Sequence, residues 1–433
     1  MQLSVATLGL GFILCTAARS QTSHINNIKN VVVLVQENRS FDTLAGGFTY
    51  NATIDGLVNH TYCNPADTLS STSSNFCAAD TAKNIVIISP DHSITGGNMQ
   101  IFGEYHPSTD ANSSMNGFIT EQNRIYHLKN KPVVTEVINY YNPDLVPVTN
   151  AMAENFVLFD RWFASVPGAS NPNRAYLTSG TSYGQGQDKG LFYHSGLPQT
   201  SIFQQLSEKN VTWINYENTT NLGKSSSPPD SLFYKWTTKS GKSKTNVLPI
   251  DRFYQDAKSG ALPQFTWINP ECCKYMSMHP KSPVNMGENF MKGIYDTLRS
   301  SPQWNQTLLI ITWDEHGGFG DHVPPPTGVP AGDHLTYTEK APDGKKYKFH
   351  FDRLGVRVPT ILISPWVEKG LIQNRPKSGN NDFTHTSILK FMSELWGLDS
   401  LSPRVEWSPS FSDLITNHLR NDTPREMPNA AGY

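Results

Sequence analysis

Asp314 and Glu315 stand side by side at the end of an unbroken apolar run, Thr307-Leu308-Leu309-Ile310-Ile311-Thr312-Trp313. A second run, Val31-Val32-Val33-Leu34-Val35-Gln36, delivers Glu37 and Asn38 at its own end. Three carboxylates and an amide brought to one place are the donor set of a hard dication, because such ions take oxygen ligands and need their charge balanced. The chemistry to expect is therefore metal-assisted rather than redox or purely acid-base.

Those pairs must be held by rigid elements. Runs of β-branched and large apolar residues without alternation predict strands covered on both faces, as in a parallel sheet. In open α/β sheets ligands bind outside the carboxyl ends of the strands, so both acidic pairs are expected to face one crevice. Phe156-Val157-Leu158-Phe159, Val211-Thr212-Trp213-Ile214, Phe265-Thr266-Trp267-Ile268 and Pro359-Thr360-Ile361-Leu362-Ile363 follow the same grammar. Helical spacing of apolar residues separates them at 287–298 and again at 388–396, where Thr386 or Ser387 opens the helix and Gly397 closes it. The expected fold class is α/β: a mostly parallel central sheet with helices on both faces, in three layers.

Two stretches break the alternation. Residues 221–246 are rich in Ser, Lys, Gly and Pro, and 324–350 hold Pro324-Pro325-Pro326 followed by a hairpin expected to turn at Asp343-Gly344. Their aromatic residues, Phe233, Tyr234, Trp236, Tyr337, Tyr347 and Phe349, would either offer an apolar approach for a lipid or pack into the protein.

Two serines compete as nucleophile. Gly180-Thr181-Ser182-Tyr183-Gly184 matches Gly-x-Ser-x-Gly, and Asp314 and His385 follow in the chain order of an α/β-hydrolase triad. That reading, a serine esterase, requires a helix directly after Ser182, but Gln185-Gly186-Gln187-Asp188-Lys189-Gly190 is loop chemistry. The other is Ser170, in Pro167-Gly168-Ala169-Ser170-Asn171-Pro172-Asn173-Arg174. It sits in a turn entering a helix, with backbone amides for an anion and Arg174 to meet a phosphate.

Net charge is only −2 over 433 residues and no block of Lys or Arg occurs, which argues against nucleic acid as partner. Residues 1–20 read as a cleaved secretion signal, since their apolar stretch of about 12 residues is too short to span a bilayer. No later segment is long and apolar enough to do so, and residues 21–433 are expected to form one catalytic domain. Of five cysteines Cys15 leaves with the signal, and Cys63, Cys77, Cys272 and Cys273 are expected to form two disulfides whose pairing is left open among three connectivities. Glycan acceptors occur at Asn51, Asn59, Asn112, Asn210, Asn218, Asn305 and Asn421. Asn38 also matches, but its place at a buried strand end argues against a glycan.

The blocks Glu37-Asn38-Arg39-Ser40-Phe41-Asp42, Pro167-Gly168-Ala169-Ser170-Asn171-Pro172-Asn173-Arg174, Asp314 through Pro325, Arg357-Val358-Pro359 with Ser364-Pro365-Trp366, and His385-Thr386-Ser387 run in order along nearly the whole mature chain. Together they resemble the secreted phospholipase C and acid phosphatase family of phosphoesterases, within the wider alkaline-phosphatase-like fold. The resemblance implies that Glu37, Asn38, Asp314 and Glu315 ligate a divalent metal, of which zinc, calcium and magnesium are the candidates. Ser170 would be both nucleophile and ligand. His279 and His385, and beside them His92 and His322, fall in or next to these blocks and suit protonation of a leaving alkoxide or contact with a phosphoryl oxygen, with Arg174 assisting.

Phospholipase C members commonly carry Thr where this chain has Ser170, a feature of the acid phosphatase branch, and many carry a second histidine where Met278 stands. The expected activity is a secreted phospholipase C, with acid phosphatase as the alternative. Its substrate would be a phospholipid or a small phosphate ester, with transient contact to a membrane surface. A secreted binding glycoprotein on a retired catalytic fold is the reading from a different class, and the intact set of acidic residues argues against it.

Overall fold

The computed structural model describes residues 24–127, 131–193, 195–218, 228–271, 273 and 275–433. The expected signal segment, part of the 221–246 excursion and Cys272 lie outside them.

Eight strands form the central sheet: β1 (Asn30–Gln36), β2 (Val157–Phe159), β3 (Trp213–Glu217), β4 (Val247–Pro249), β5 (Phe265–Asn269), β6 (Thr307–Trp313), β7 (Thr360–Ile363) and β8 (Leu371–Gln373). Their order is β8-β2-β7-β6-β1-β5-β3-β4. The apolar runs identified from sequence are its centre, β1 and β6 being buried along their full length. β1 pairs parallel to both β5 and β6. β7 runs antiparallel to β6 and β2, so its end, at Ser364, points to the opposite edge from Asp314. The mostly parallel α/β architecture is as expected.

The helices that matter to the site are α1 (Phe41–Ala45), α2 (Ile94–Phe102), α3 (Pro147–Asn155), α4 (Ser170–Ser179), α5 (Ile250–Ser259), α6 (Val284–Ser300) and α7 (Thr386–Trp396). The apolar spacing read in 287–298 belongs to α6, whose Phe290, Met291, Ile294, Tyr295 and Leu298 are buried. α7 ends at Gly397, which takes the left-handed conformation at φ 62°, as a helix stop needs. α4 is buried at every position, which makes it a core element and not a surface helix.

The hairpin at Asp343-Gly344 forms between Tyr337–Lys340 and Lys346–Phe349. Within the other excursion the described residues adopt short helices, Asp230–Phe233, Lys235–Lys239 and Lys242–Thr245, and Phe233, Tyr234 and Trp236 pack on the core. Phe233, Tyr234 and Phe349 are at most 1% exposed, so for these three aromatics packing is the answer and no lipid approach is built from them. Cys63 and Cys77 are disulfide-bonded across a small hairpin, and Cys273 is disulfide-bonded as well.

Candidate functional site

The site begins with one register. β1 and β6 lie side by side with Gln36 opposite Trp313, so the next residues on each strand, Glu37 and Asp314, leave the sheet together. Asp314 N–H donates to Gln36 O at 3.0 Å, and Asn38 N–H donates to Asp314 Oδ1 at 3.1 Å. Two residues 277 positions apart in the chain are thus fixed by ladder geometry, and all of Glu37, Asn38, Asp314 and Glu315 are buried. Asn38 takes a left-handed conformation at φ 56°, one that asparagine tolerates better than most residues.

The two glycines after His316 explain how further segments reach this point. A side chain at Gly317 would meet Asn38 O at 2.6 Å, and one at Gly318 would meet Asp91 O at 2.4 Å. Both glycines also have positive φ. They let the Glu37-Asn38 turn and the Pro90-Asp91-His92 turn close onto the acidic pair.

Ser170 is the first residue of α4 and 8% exposed. Arg174, one helical turn on and on the same stripe, lies about 6 Å further along the axis. Its guanidinium donates to Asp314 Oδ2 at 3.0 Å, Asp230 Oδ2 at 3.3 Å, Glu37 Oε1 at 3.4 Å and Val35 O at 3.2 Å. Expected from sequence to meet a phosphate, Arg174 has donors that face three carboxylates and a carbonyl and join α4 to the strand ends. One of the backbone amides at this helix start is also engaged, since Asn171 N–H donates to Asp188 Oδ1 at 2.6 Å.

The histidines separate into three groups. His92 has Nε2 3.5 Å from Asn38 Nδ2 and donates from Nδ1 to Pro90 O at 2.8 Å. Burial opposes its charge, but Glu315 and the Pro90 carbonyl outweigh it and raise its pKa to about 9. His279 donates from Nδ1 to Pro280 O at 3.0 Å, which leaves the lone pair on Nε2, and burial lowers its pKa to about 4. Glu37 N–H donates to Ser277 O at 2.9 Å and His279 N–H donates to Ser277 Oγ at 3.3 Å, so the turn that carries His279 lies against the end of β1.

His385 is fully buried and has no nitrogen to spare: Nε2 donates to Asp314 O at 2.7 Å, and Trp162 Nε1 donates to Nδ1 at 3.2 Å. Burial lowers its pKa to about 4, so it is neutral. Expected from sequence to donate a proton, His385 has both nitrogens engaged in this structure and bonds the Asp314 backbone. The esterase triad does not assemble either, because Ser182 lies in a turn and its hydroxyl donates to Gln185 O at 2.7 Å.

His322 belongs to a neighbouring cluster. Its Nδ1 pairs with Asp42 Oδ2 at 2.8 Å and its Nε2 with Asp55 Oδ1 at 3.1 Å, while its ring stacks on His60. Arg357 bridges Asp42 and Asp321 at 2.9 Å each. Both ring nitrogens of His322, a residue expected from sequence to be catalytic, thus face carboxylates of this neighbouring cluster.

Among the described residues, the sets of three His or carboxylate atoms that come within 4.8 Å of one another are centred on His322, where Arg357 already neutralises Asp42 and Asp321. Glu37, Asp314 and Glu315 do not form such a set. The donors nonetheless fit a dication. Glu37 Oε2, Asn38 Oδ1 and Glu315 Oε1 are buried oxygens without a hydrogen-bond partner among the described residues, which leaves them free to coordinate a cation. Burial, reinforced by Asp314, raises both Glu37 and Glu315 to about 8, against the pull of Arg174 on the former and of His92 on the latter. Oxygen donors with adjacent imidazoles suit magnesium, calcium or zinc.

Two acids were not picked out by sequence reasoning. Asp230 accepts from Arg174 and, at 2.8 Å, from Trp267 Nε1 on β5. Its turn is gripped by Asn215 and Asn269, the residues that follow the apolar runs of β3 and β5. Asp188 comes from the loop after Ser182 and touches the start of α4. A clue existed for Asp230, in that two more apolar runs lead into asparagine, at Asn215 and Asn269; none existed for Asp188.

A family model described as Phosphoesterase family matches residues 28–399. The chain is 37% identical over 428 residues to non-specific phospholipase C5 of Arabidopsis thaliana, covering 93% of this chain and 77% of that protein. It is 25% identical over 441 residues to a non-hemolytic phospholipase C of Pseudomonas aeruginosa, covering 96% of this chain and 60% of that protein. A crystal structure of a protein in the alkaline phosphatase superfamily from Vibrio parahaemolyticus aligns with a TM-score of 0.37 and 11% identity, over 61% of this chain and 63% of that one. A likeness so slight carries no argument about chemistry.

Proposed function

This chain belongs to the phosphoesterase family and is a hydrolase of phosphoric esters, and from that premise we propose that it is a metal-dependent phospholipase C with Ser170 as nucleophile. The observation that carries the reading is the junction of three elements: the ends of β1 and β6 present Glu37, Asn38, Asp314 and Glu315, and Arg174 binds the helix that begins with Ser170 to Asp314 and Glu37. Glu37, Asn38, Asp314 and Glu315 would hold the cation together with Ser170. Such an ion, when bound, supplies charge neutralisation for phosphate oxygens and eases ionisation of a nearby hydroxyl.

The chain's own residues supply the rest. Ser170 Oγ forms a bond to phosphorus as the diacylglycerol oxygen leaves, and water then cleaves the phosphoserine to release the phosphorylated headgroup. The proton lost by Ser170 and the one gained by the leaving oxygen pass through imidazole. His92 and His279 suit that task because each has Nδ1 held by a carbonyl of its own turn. Arg174 and His385 position, one through the Asp314 carboxylate and the other through its carbonyl.

Acid phosphatase activity on monoesters is the second reading, and Ser170 in place of threonine favours it. We further propose one catalytic domain and a secreted, glycosylated protein. In support, Asn59, Asn112, Asn210, Asn305 and Asn421 lie exposed, whereas Asn38 is buried. The deciding experiment is a paired assay of a phosphocholine diester and a phosphate monoester, each with and without chelator, from acid to neutral pH. Diester cleavage lost in chelator is the expected result. Monoester cleavage alone would transfer the chain to the phosphatase reading, and activity indifferent to chelator would overturn the metal.

A further inference from the structure

Residues 84–88, Asn84-Ile85-Val86-Ile87-Ile88, place two large apolar side chains in solvent: Ile85 is 44% exposed and Ile87 68%. Scattered apolar residues on a surface need no explanation, but these two are held out by construction. Between them Val86 is 3% exposed and faces inward. Val86 O accepts from Lys281 N–H at 2.7 Å, Asn84 O accepts from Val284 N–H at 2.9 Å, and Lys83 O accepts from the Tyr141 hydroxyl at 2.6 Å. The segment is therefore a pinned ridge, with its inward residue anchored and the flanking isoleucines turned outward.

Its position gives the ridge a meaning. Five residues after Ile87 the chain reaches His92, which stands beside Asn38. Lys281, which grips Val86, is two residues past His279, and Ser282 N–H closes that turn on His279 O at 2.9 Å. The ridge thus joins the two turns that carry the site's imidazoles. The side chains of Lys83 and Lys281 flank it, both exposed.

We propose that residues 84–88 dock the enzyme on a phospholipid surface, Ile85 and Ile87 entering the interface while Lys83 and Lys281 meet lipid phosphates. The occupant follows from the chemistry: a pair of exposed apolar side chains beside two exposed lysines, on the segment that joins the turns of His92 and His279, matches the layered acyl and phosphate structure of a membrane surface. The inference rests on the phospholipase reading and names where its substrate is met.

The test uses the full chain. Sedimentation with phosphatidylcholine vesicles, with and without phosphatidylserine, is carried out in chelator so that no turnover intervenes, and hydrolysis of the same vesicles and of a water-soluble phosphocholine ester is measured with metal. Ile87→Ser is expected to weaken vesicle binding about tenfold or more, from the transfer free energy of one isoleucine. Ile85→Ser should act likewise, Ile87→Trp should restore binding, and Lys83→Gln with Lys281→Gln should remove only the preference for phosphatidylserine. Hydrolysis of the soluble ester should stay unchanged in all of them. Vesicle binding that is the same in Ile87→Ser and wild type overturns the proposal, as does an equal loss on the soluble ester, which would mean that the ridge serves only to place His92 and His279. Wild type that binds vesicles through the ridge yet cleaves no phospholipid would sink the phospholipase reading and leave the docking surface standing.

Discussion

Arg174 Nε donates to Asp314 Oδ2 at 3.0 Å, and this bond couples the helix that starts at Ser170 to the end of the strand that delivers the acidic pair. The guanidinium is 3% exposed and also answers Asp230 and Glu37, so it balances three buried carboxylates at once. A positioning cation of this kind is felt in stability as much as in rate.

Arg174→Ala should therefore destabilise the fold by about 3–5 kcal/mol, the range for removing one partner of a buried ion pair. Arg174→Lys keeps the charge but not the fork that reaches three acids, and should recover only part of the loss. Denaturant unfolding of both variants checks this; an Arg174→Ala curve superimposed on wild type would mean that the acids are neutral without it.

Ser170→Ala removes the attacking oxygen and leaves the four other proposed ligands in place. Turnover should fall by several orders of magnitude, while metal content measured by elemental analysis stays near that of wild type. Substantial residual activity would show that another group attacks phosphorus.

His385 touches Asp314 only through the backbone carbonyl. Groups that orient metal ligands are worth about 10–100-fold in affinity or activity. His385→Ala should lose that much metal affinity, and His385→Gln, which can still accept from Trp162 and donate to Asp314, should lose less. Metal affinity unchanged in His385→Ala while turnover collapses would instead return a proton-transfer role to His385.

Much of this was legible in the sequence because it depends on strands. Unbroken apolar runs such as 31–35 and 307–313 admit few structures, and whatever follows them lands at a sheet edge; Glu37 and Asp314 were placed for that reason. What a strand ending cannot reveal is which side chains are already spoken for. Arg174 looked like a phosphate ligand because its three carboxylate partners come from residues 37, 230 and 314, and no local pattern links those. His322 looked catalytic for the same reason, its partners Asp42 and Asp55 lying more than 260 residues away. Ser182 matched a hydrolase motif, yet the fold spends that stretch on a turn after α4.

Glu37 Oε2 and Glu315 Oε1 are buried without a hydrogen-bond donor, so a bound cation should stabilise the fold by mass action. Chelator is expected to lower the melting temperature by several degrees and added metal to restore it. Glu37→Gln and Glu315→Gln should each weaken this response, and a melting temperature indifferent to chelator in wild type would count against a cation at this site.

The His322 cluster predicts a pH dependence of stability separate from catalysis. Burial would lower the pKa of His322, but hydrogen bonds to Asp42 and Asp55 prevail and raise it from 6.5 to about 10, while Asp55 is held down at about 2, chiefly by the same hydrogen bond. Because the folded state binds this proton more tightly than the unfolded chain, the stabilisation is complete below pH 6.5 and is lost as pH rises through about 10. His60, Asp321 and Arg357 face the same ring and set its field, but they remain when His322 is replaced. The expected outcome is that wild type loses on the order of 1–3 kcal/mol more than His322→Asn between neutral pH and pH ~10, since the pair is partly screened by solvent at Asp55. Urea unfolding of both proteins across that interval measures it, and parallel curves would show that His322 is uncharged in the folded enzyme.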